Sequence, residues 1–90
     1  MKGRTVIAYP GILFAPDADG LHGCAVPDLL VNASGASADE AMRDAAAIAA
    51  DLMDGMARKG EPFPEPTPVE DLDLEGGTLV LIATPLPKAA

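Results

Sequence analysis

This sequence predicts an α+β domain in the order β-β-β-α-β, a small sheet with one covering helix. Three observations lead there. Three short apolar runs, separated by turn signals, occupy the first part of the chain. A single segment then repeats apolar residues at three- and four-residue spacing, with a start signal before it and a glycine after it. A proline-rich stretch and one more β-branched run complete the chain. Ninety residues hold one such domain, residues 1–90, and leave little for a second.

Thr5–Ala15 (TVIAYPGILFA) is apolar and β-branched, and it stops at Pro16-Asp17-Ala18-Asp19-Gly20, a dense turn signal. Leu21–Val26 is a second apolar run, closed by Pro27-Asp28. Leu30–Ala33 reads as a third strand before the small residues Ser34-Gly35-Ala36. Connections this short favour an antiparallel meander.

The helix is placed at Ala38–Lys59. Ser37-Ala38-Asp39-Glu40 has the form of a capping box, in which the hydroxyl accepts from the N3 amide and Glu40 reaches back to the cap amide. Ala41, Ala45, Ile48, Leu52 and Met56 form the expected buried stripe, widened by Met42, Ala49 and Met53. Asp39/Arg43 and Asp54/Arg58 are i,i+4 pairs on the wet side. Arg58 and Lys59 suit the negative helix end, and Gly60 supplies a left-handed stop.

Glu61–Pro68 (EPFPEPTP) has proline at every second position, which makes it an extended, stiff connector. It contains no PxxP ligand motif. Thr78–Ala83 is the fourth strand, stopped by Pro85 and Pro87. The expected sheet order is 3-2-1-4. A helix between strands three and four implies a right-handed crossover and a mixed sheet, with strand four parallel to strand three. Pro10 then falls in a central strand, which predicts partial pairing with strand four or a bulge at Pro10-Gly11. Strands one and four are apolar at both parities, so both faces call for burial although one helix covers only one. A second copy or a partner should cover the other, so a dimer or larger homo-oligomer is expected.

Composition narrows the function. Six Lys and Arg stand against fourteen Asp and Glu, a net charge of -8 that repels phosphates and argues against direct nucleic-acid binding. The single cysteine, Cys24, excludes an internal disulfide framework and fits a reducing compartment. There is no signal-peptide pattern and no run of apolar residues long enough to span a bilayer. A cytoplasmic protein without a membrane partner is the expectation.

Candidate chemistry is sparse. Asp17-Ala18-Asp19-Gly20 lacks the further ligands and terminal glutamate of a calcium loop and reads as a turn. His22 and Cys24 share one face of a strand, but two ligands make no zinc site, and that placement seldom yields an activated thiolate. No cofactor or metal is expected. Residues 61–75 hold six acids (Glu61, Glu65, Glu70, Asp71, Asp73, Glu75) and no base. Such a segment is either simply solvated or an electrostatic lure for a basic protein.

The series Tyr9-Pro10, Pro16-Asp17-Ala18-Asp19-Gly20, Val26-Pro27-Asp28-Leu29, Gly35-Ala36-Ser37, Asp39-Glu40-Ala41, Gly60-Glu61-Pro62-Phe63-Pro64-Glu65-Pro66 and Leu86-Pro87 resembles the HicB-like antitoxin family in order and spacing. The resemblance covers nearly the whole chain and corresponds to that family's amino-terminal domain, which has a partial ribonuclease-H-like fold. It implies a role in binding and neutralising a small basic ribonuclease, the HicA toxin, which cleaves messenger RNA using a histidine. Family members commonly add a carboxy-terminal DNA-binding domain, and the residues here carry over no operator binding. The turn Pro27-Asp28-Leu29-Leu30-Val31 also lacks the second proline and the glycine of the usual form.

A ribonuclease-H-like fold raises the alternative of a nuclease, which needs a carboxylate cluster including an aspartate on the first strand to hold two metal ions. Thr5–Ala15 contains no Asp or Glu, Asp17, Asp19 and Asp28 sit in turns, and Glu40 serves as a cap residue. No enzymatic activity is expected. The leading expectation is an antitoxin-like interaction module that occludes a HicA-type toxin; the alternative is an orphan structural or regulatory homo-oligomer. The expected interface is Pro27, Asp28 and Leu29 with Glu61, Phe63 and Glu65, because both segments combine acids with apolar anchors.

Overall fold

The computed structural model describes residues 6–85. Its strands are β1 (Val6–Leu13), β2 (His22–Val26), β3 (Val31–Gly35) and β4 (Thr78–Pro85), and its helix is α1 (Ala38–Lys59). Single 3₁₀ turns lie at Pro27–Leu29 and Val69–Asp71. The α+β order is the expected one; Thr5, Lys88 and the Leu86-Pro87 pair lie outside the described residues.

Local chemistry accounts for the element ends. Between β1 and β2, the Asp17 carboxylate accepts from the amides of Asp19 (2.9 Å) and Leu21 (3.0 Å), while Gly20 takes a φ of 80°. This is an Asx-type turn. The Ser37 hydroxyl accepts from the Glu40 amide at 3.2 Å and caps α1. Glu40 reaches one residue further than a capping box requires, to the Ala36 amide at 3.2 Å. At the other end Gly60 adopts a φ of 73°, its amide bonds to the Ala57 carbonyl and the Glu61 amide bonds to the Met56 carbonyl. That pair of bonds is the Schellman pattern. Asp54 and Arg58 pair at 2.7 Å, whereas among the described residues Asp39 and Arg43 do not.

The sheet order is β3-β2-β1-β4, as expected, but every neighbouring pair is antiparallel. The expected mixed sheet is therefore corrected: β4 runs opposite to β3. The reason lies in the connector. A 22-residue helix carries the chain about 33 Å back along β3. The extended prolyl segment after it returns the chain along the molecule before β4 begins, and this second reversal flips the last strand.

Pro10 causes neither a bulge nor a break in the β1–β4 pairing, which runs unbroken from Val6↔Pro85 to Leu13↔Thr78. The Phe14 amide donates to the Gly23 carbonyl on β2 at 2.8 Å, so by alternation Ile12 and Pro10 also turn their backbone nitrogen toward β2. The β1–β2 register, Ile12↔Ala25 and Leu13↔Cys24, would next set Pro10 against Pro27. Neither can donate, and the β1–β2 ladder ends there.

One face of the sheet meets α1. Tyr9, Cys24, Val26, Leu29, Val31 and Ile82 form the core with Ala41, Ala45, Ala49 and Met53. The buried helix row is thus the small one at four-residue spacing. Ile48 (44% exposed) and Leu52 stand on its flank instead of in the expected stripe. Alanine lets the helix sit close to the strands, and β3 passes directly under its start: a Cβ on Gly35 would come within 2.6 Å of the Ala41 nitrogen. The other face carries Val6, Ala8, Pro10, Ile12, Leu79, Leu81 and Ala83 and has no helix on it. None of the strand residues is Asp, Glu, Lys or Arg.

Candidate partner interface

Two segments far apart in sequence, the Pro27–Leu29 turn and the prolyl connector, are joined by hydrogen bonds to one carboxylate. The Asp28 side chain accepts from the Thr67 amide at 2.9 Å and from the Thr67 hydroxyl at 2.5 Å. A second tether lies nearby: the buried Tyr9 hydroxyl donates to the Pro64 carbonyl at 2.7 Å. Phe63, half-buried, packs against the helix-side core. The connector is therefore fastened at three successive points, and Glu61 and Glu65 remain exposed along it. Burial, and after it the charge of Asp28, push the Tyr9 hydroxyl above its ordinary pKa of 10.0.

The predicted site residues divide accordingly. Pro27, Glu61 and Glu65 are exposed, and Asp28 and Phe63 are half-buried. Leu29 is only 4% exposed and belongs to the core. Its neighbour Leu30 takes the outward role. Leu30 is 89% exposed, holds the left-handed conformation at φ 55°, and donates its amide to the Pro27 carbonyl at 3.1 Å. The third strand consequently starts at Val31, and runs on to Gly35 because all five of its residues pair with β2. Sequence reasoning missed Leu30, Thr67 and Tyr9. The adjacent leucines were a usable signal, since a turn that buries one tends to turn its neighbour out.

Other polar groups are accounted for by structure. Cys24 is buried, which pushes its thiol above its ordinary pKa. The His22 ring nitrogen Nδ1, as donor, meets the Phe14 carbonyl at 3.2 Å. Among the described residues no three His, Cys, Asp or Glu gather as a metal site would require. Among them too, no helix is long and apolar enough to cross a membrane.

No family model matches the chain, and no curated protein does. A solved structure does match: the crystal structure of the N-terminal domain of the Burkholderia pseudomallei antitoxin HicB. It aligns with a TM-score of 0.78 and 20% sequence identity, covering 89% of this chain and 100% of that one. The fold is that of the HicB amino-terminal domain. The four-stranded antiparallel sheet with one helix is thus a HicB-type architecture, as the ordered motifs led one to expect.

Proposed function

We propose that this chain is a cytoplasmic antitoxin-like module that binds and occludes a small basic toxin of the HicA type. On this reading it performs no catalysis, binds no nucleic acid directly and self-associates as a dimer or larger. One observation carries the proposal: the acidic connector is held in a fixed extended line by the Tyr9–Pro64 and Asp28–Thr67 bonds, with Glu61 and Glu65 outward. Fixing charges before the encounter lowers the ordering cost of binding and steers a basic partner. The exposed Leu30 beside Pro27 supplies the apolar contact that buried Leu29 does not. Neutralisation then works by occlusion, the acids competing with phosphate for the toxin's RNA-binding surface.

The test is the double reversal Glu61→Lys, Glu65→Lys, with association to the purified product of an adjacent toxin gene followed at several salt concentrations. Slower association with a flatter salt dependence is expected, with an unchanged circular-dichroism spectrum. Unaltered rates would reduce the connector to a spacer. A second reading, the orphan homo-oligomer, is favoured by the uncharged sheet face on which Val6, Leu79 and Leu81 stand exposed. Co-purification from the native host separates the two: the first requires a basic chain of comparable or smaller size to come along, the second only copies of this chain.

A further inference from the structure

The outer edge of β4 is chemically ready for another strand. By the alternation established at Phe14, the backbone groups of Thr78, Val80, Ile82 and Thr84 face β1, and those of Leu79, Leu81 and Ala83 face outward. Among the described residues these outward N–H and C=O groups have no partner. Natural sheets usually protect such an edge with a charge, an inward-pointing polar residue, a bulge or a proline. From Leu79 to Ala83 there is none of these and the register with β1 is unbroken; the buried Thr84 that follows donates its hydroxyl to the Ile7 carbonyl at 2.9 Å. Proline first appears at Pro85, an outward-facing position, where it has no donor to offer.

We infer that β4 pairs antiparallel with β4 of a second copy, about a twofold axis at Leu81, to form a continuous eight-stranded sheet. This deepens the self-association in the reading above and is independent of any toxin. The register follows from counting donors. With Leu81 opposite Leu81 of the second copy, Leu79 meets Ala83 and Ala83 meets Leu79, and all three outward residues exchange both bonds. Sliding the centre to Val80 or Ile82 leaves one of the three unmatched or sets it against donor-less Pro85. The side chains agree. Leu81, 62% exposed, would meet its own copy on the open face, flanked by Leu79 and Ala83. A chain of net charge -8 repels itself, yet its strands carry no charge at all, so the twofold brings together the neutral part of the molecule. A second copy fits this edge better than a basic protein, for which the strand holds no acid.

Sedimentation of the full chain and engineered disulfides test this. Directly opposed residues of a hydrogen-bonded antiparallel pair lie about 5.5 Å apart at Cα, within disulfide range. Leu81→Cys should therefore give covalent dimer on mild oxidation. The rate expected is on the order of a hundredfold above that of Leu30→Cys, an exposed control, because paired thiols experience millimolar effective concentration. Leu79→Cys alone should match the control, since its copy lies about 13 Å along the strand; Leu79→Cys with Ala83→Cys should cross-link. A wild-type dimer in which Leu81→Cys links no faster than the control would overturn this edge and leave self-association standing. A wild-type chain that stays monomeric at about 100 μM would overturn both. Protection of the Leu81 amide from exchange only after another protein is added would overturn the second-copy assignment in favour of a foreign strand.

Discussion

Replacing Asp28 by alanine removes the acceptor that fastens the connector to the β2–β3 turn. Two hydrogen bonds end on this carboxylate, from the Thr67 amide and hydroxyl. Bonds to a charged group contribute about 1.5–3 kcal/mol each when buried, and Asp28 is half-buried, so the lower end applies. Asp28→Ala should cost roughly 2–3 kcal/mol. For a chain of this length, whose whole stability is on the order of 5–13 kcal/mol, that lowers Tm by roughly 10–20 °C. Thr67→Val removes only the hydroxyl bond, and a double-mutant cycle should assign it about 1 kcal/mol of coupling. Urea unfolding at constant m measures these values. The phenol provides a second readout: Tyr9 is the single tyrosine, and losing the Asp28 charge should bring its raised pKa back toward 10.0, visible by ultraviolet titration. A cost below about 0.5 kcal/mol with an unmoved Tyr9 titration would mean that the connector is not held by Asp28 in solution.

Neighbouring leucines should behave oppositely: Leu29→Ala should cost about 2–5 kcal/mol and Leu30→Ser within about 0.5, by denaturant titration. Gly35→Ala should destabilise by about 1–3 kcal/mol, because a Cβ there meets the Ala41 nitrogen and the Glu40 Cβ; an unchanged midpoint would contradict the close passage of β3 under α1. Alkali should destabilise the protein through two groups. The buried Cys24 thiol and Tyr9 phenol both have raised pKa values, so the unfolded chain loses these protons first. Stability is full below the ordinary values of 9.0 and 10.0 and falls as pH rises past each. Cys24→Ala should abolish the first decline and Tyr9→Phe the second.

Signals confined to neighbouring residues were sufficient wherever the structure depends on neighbours alone. The helix bounds at Ala38 and Lys59, the Ser37 cap, the Gly60 stop and the Asp17–Gly20 turn are each satisfied within one turn of backbone, and their residue types declare them. The motif order also carried the HicB-type fold, because turn and cap residues at fixed intervals encode the lengths of the elements between them. Of the candidate site, the two segments and their exposed acids were legible. Their joining by Asp28 and Thr67 was not, since a bond across 39 positions leaves no local trace.

Tertiary structure decided what depends on distance and direction. How far the connector travels set the sense of β4, and the edge to which Pro10 turns its nitrogen set where the β1–β2 ladder stops. It also chose Ala45 and Ala49 over Ile48 for burial, and Leu29 over Leu30. In both cases an apolar pattern says that something is buried, while the identity of the buried member follows from closeness of approach. A small side chain wins where two elements must nearly touch, and a larger one wins only where the turn aims it inward.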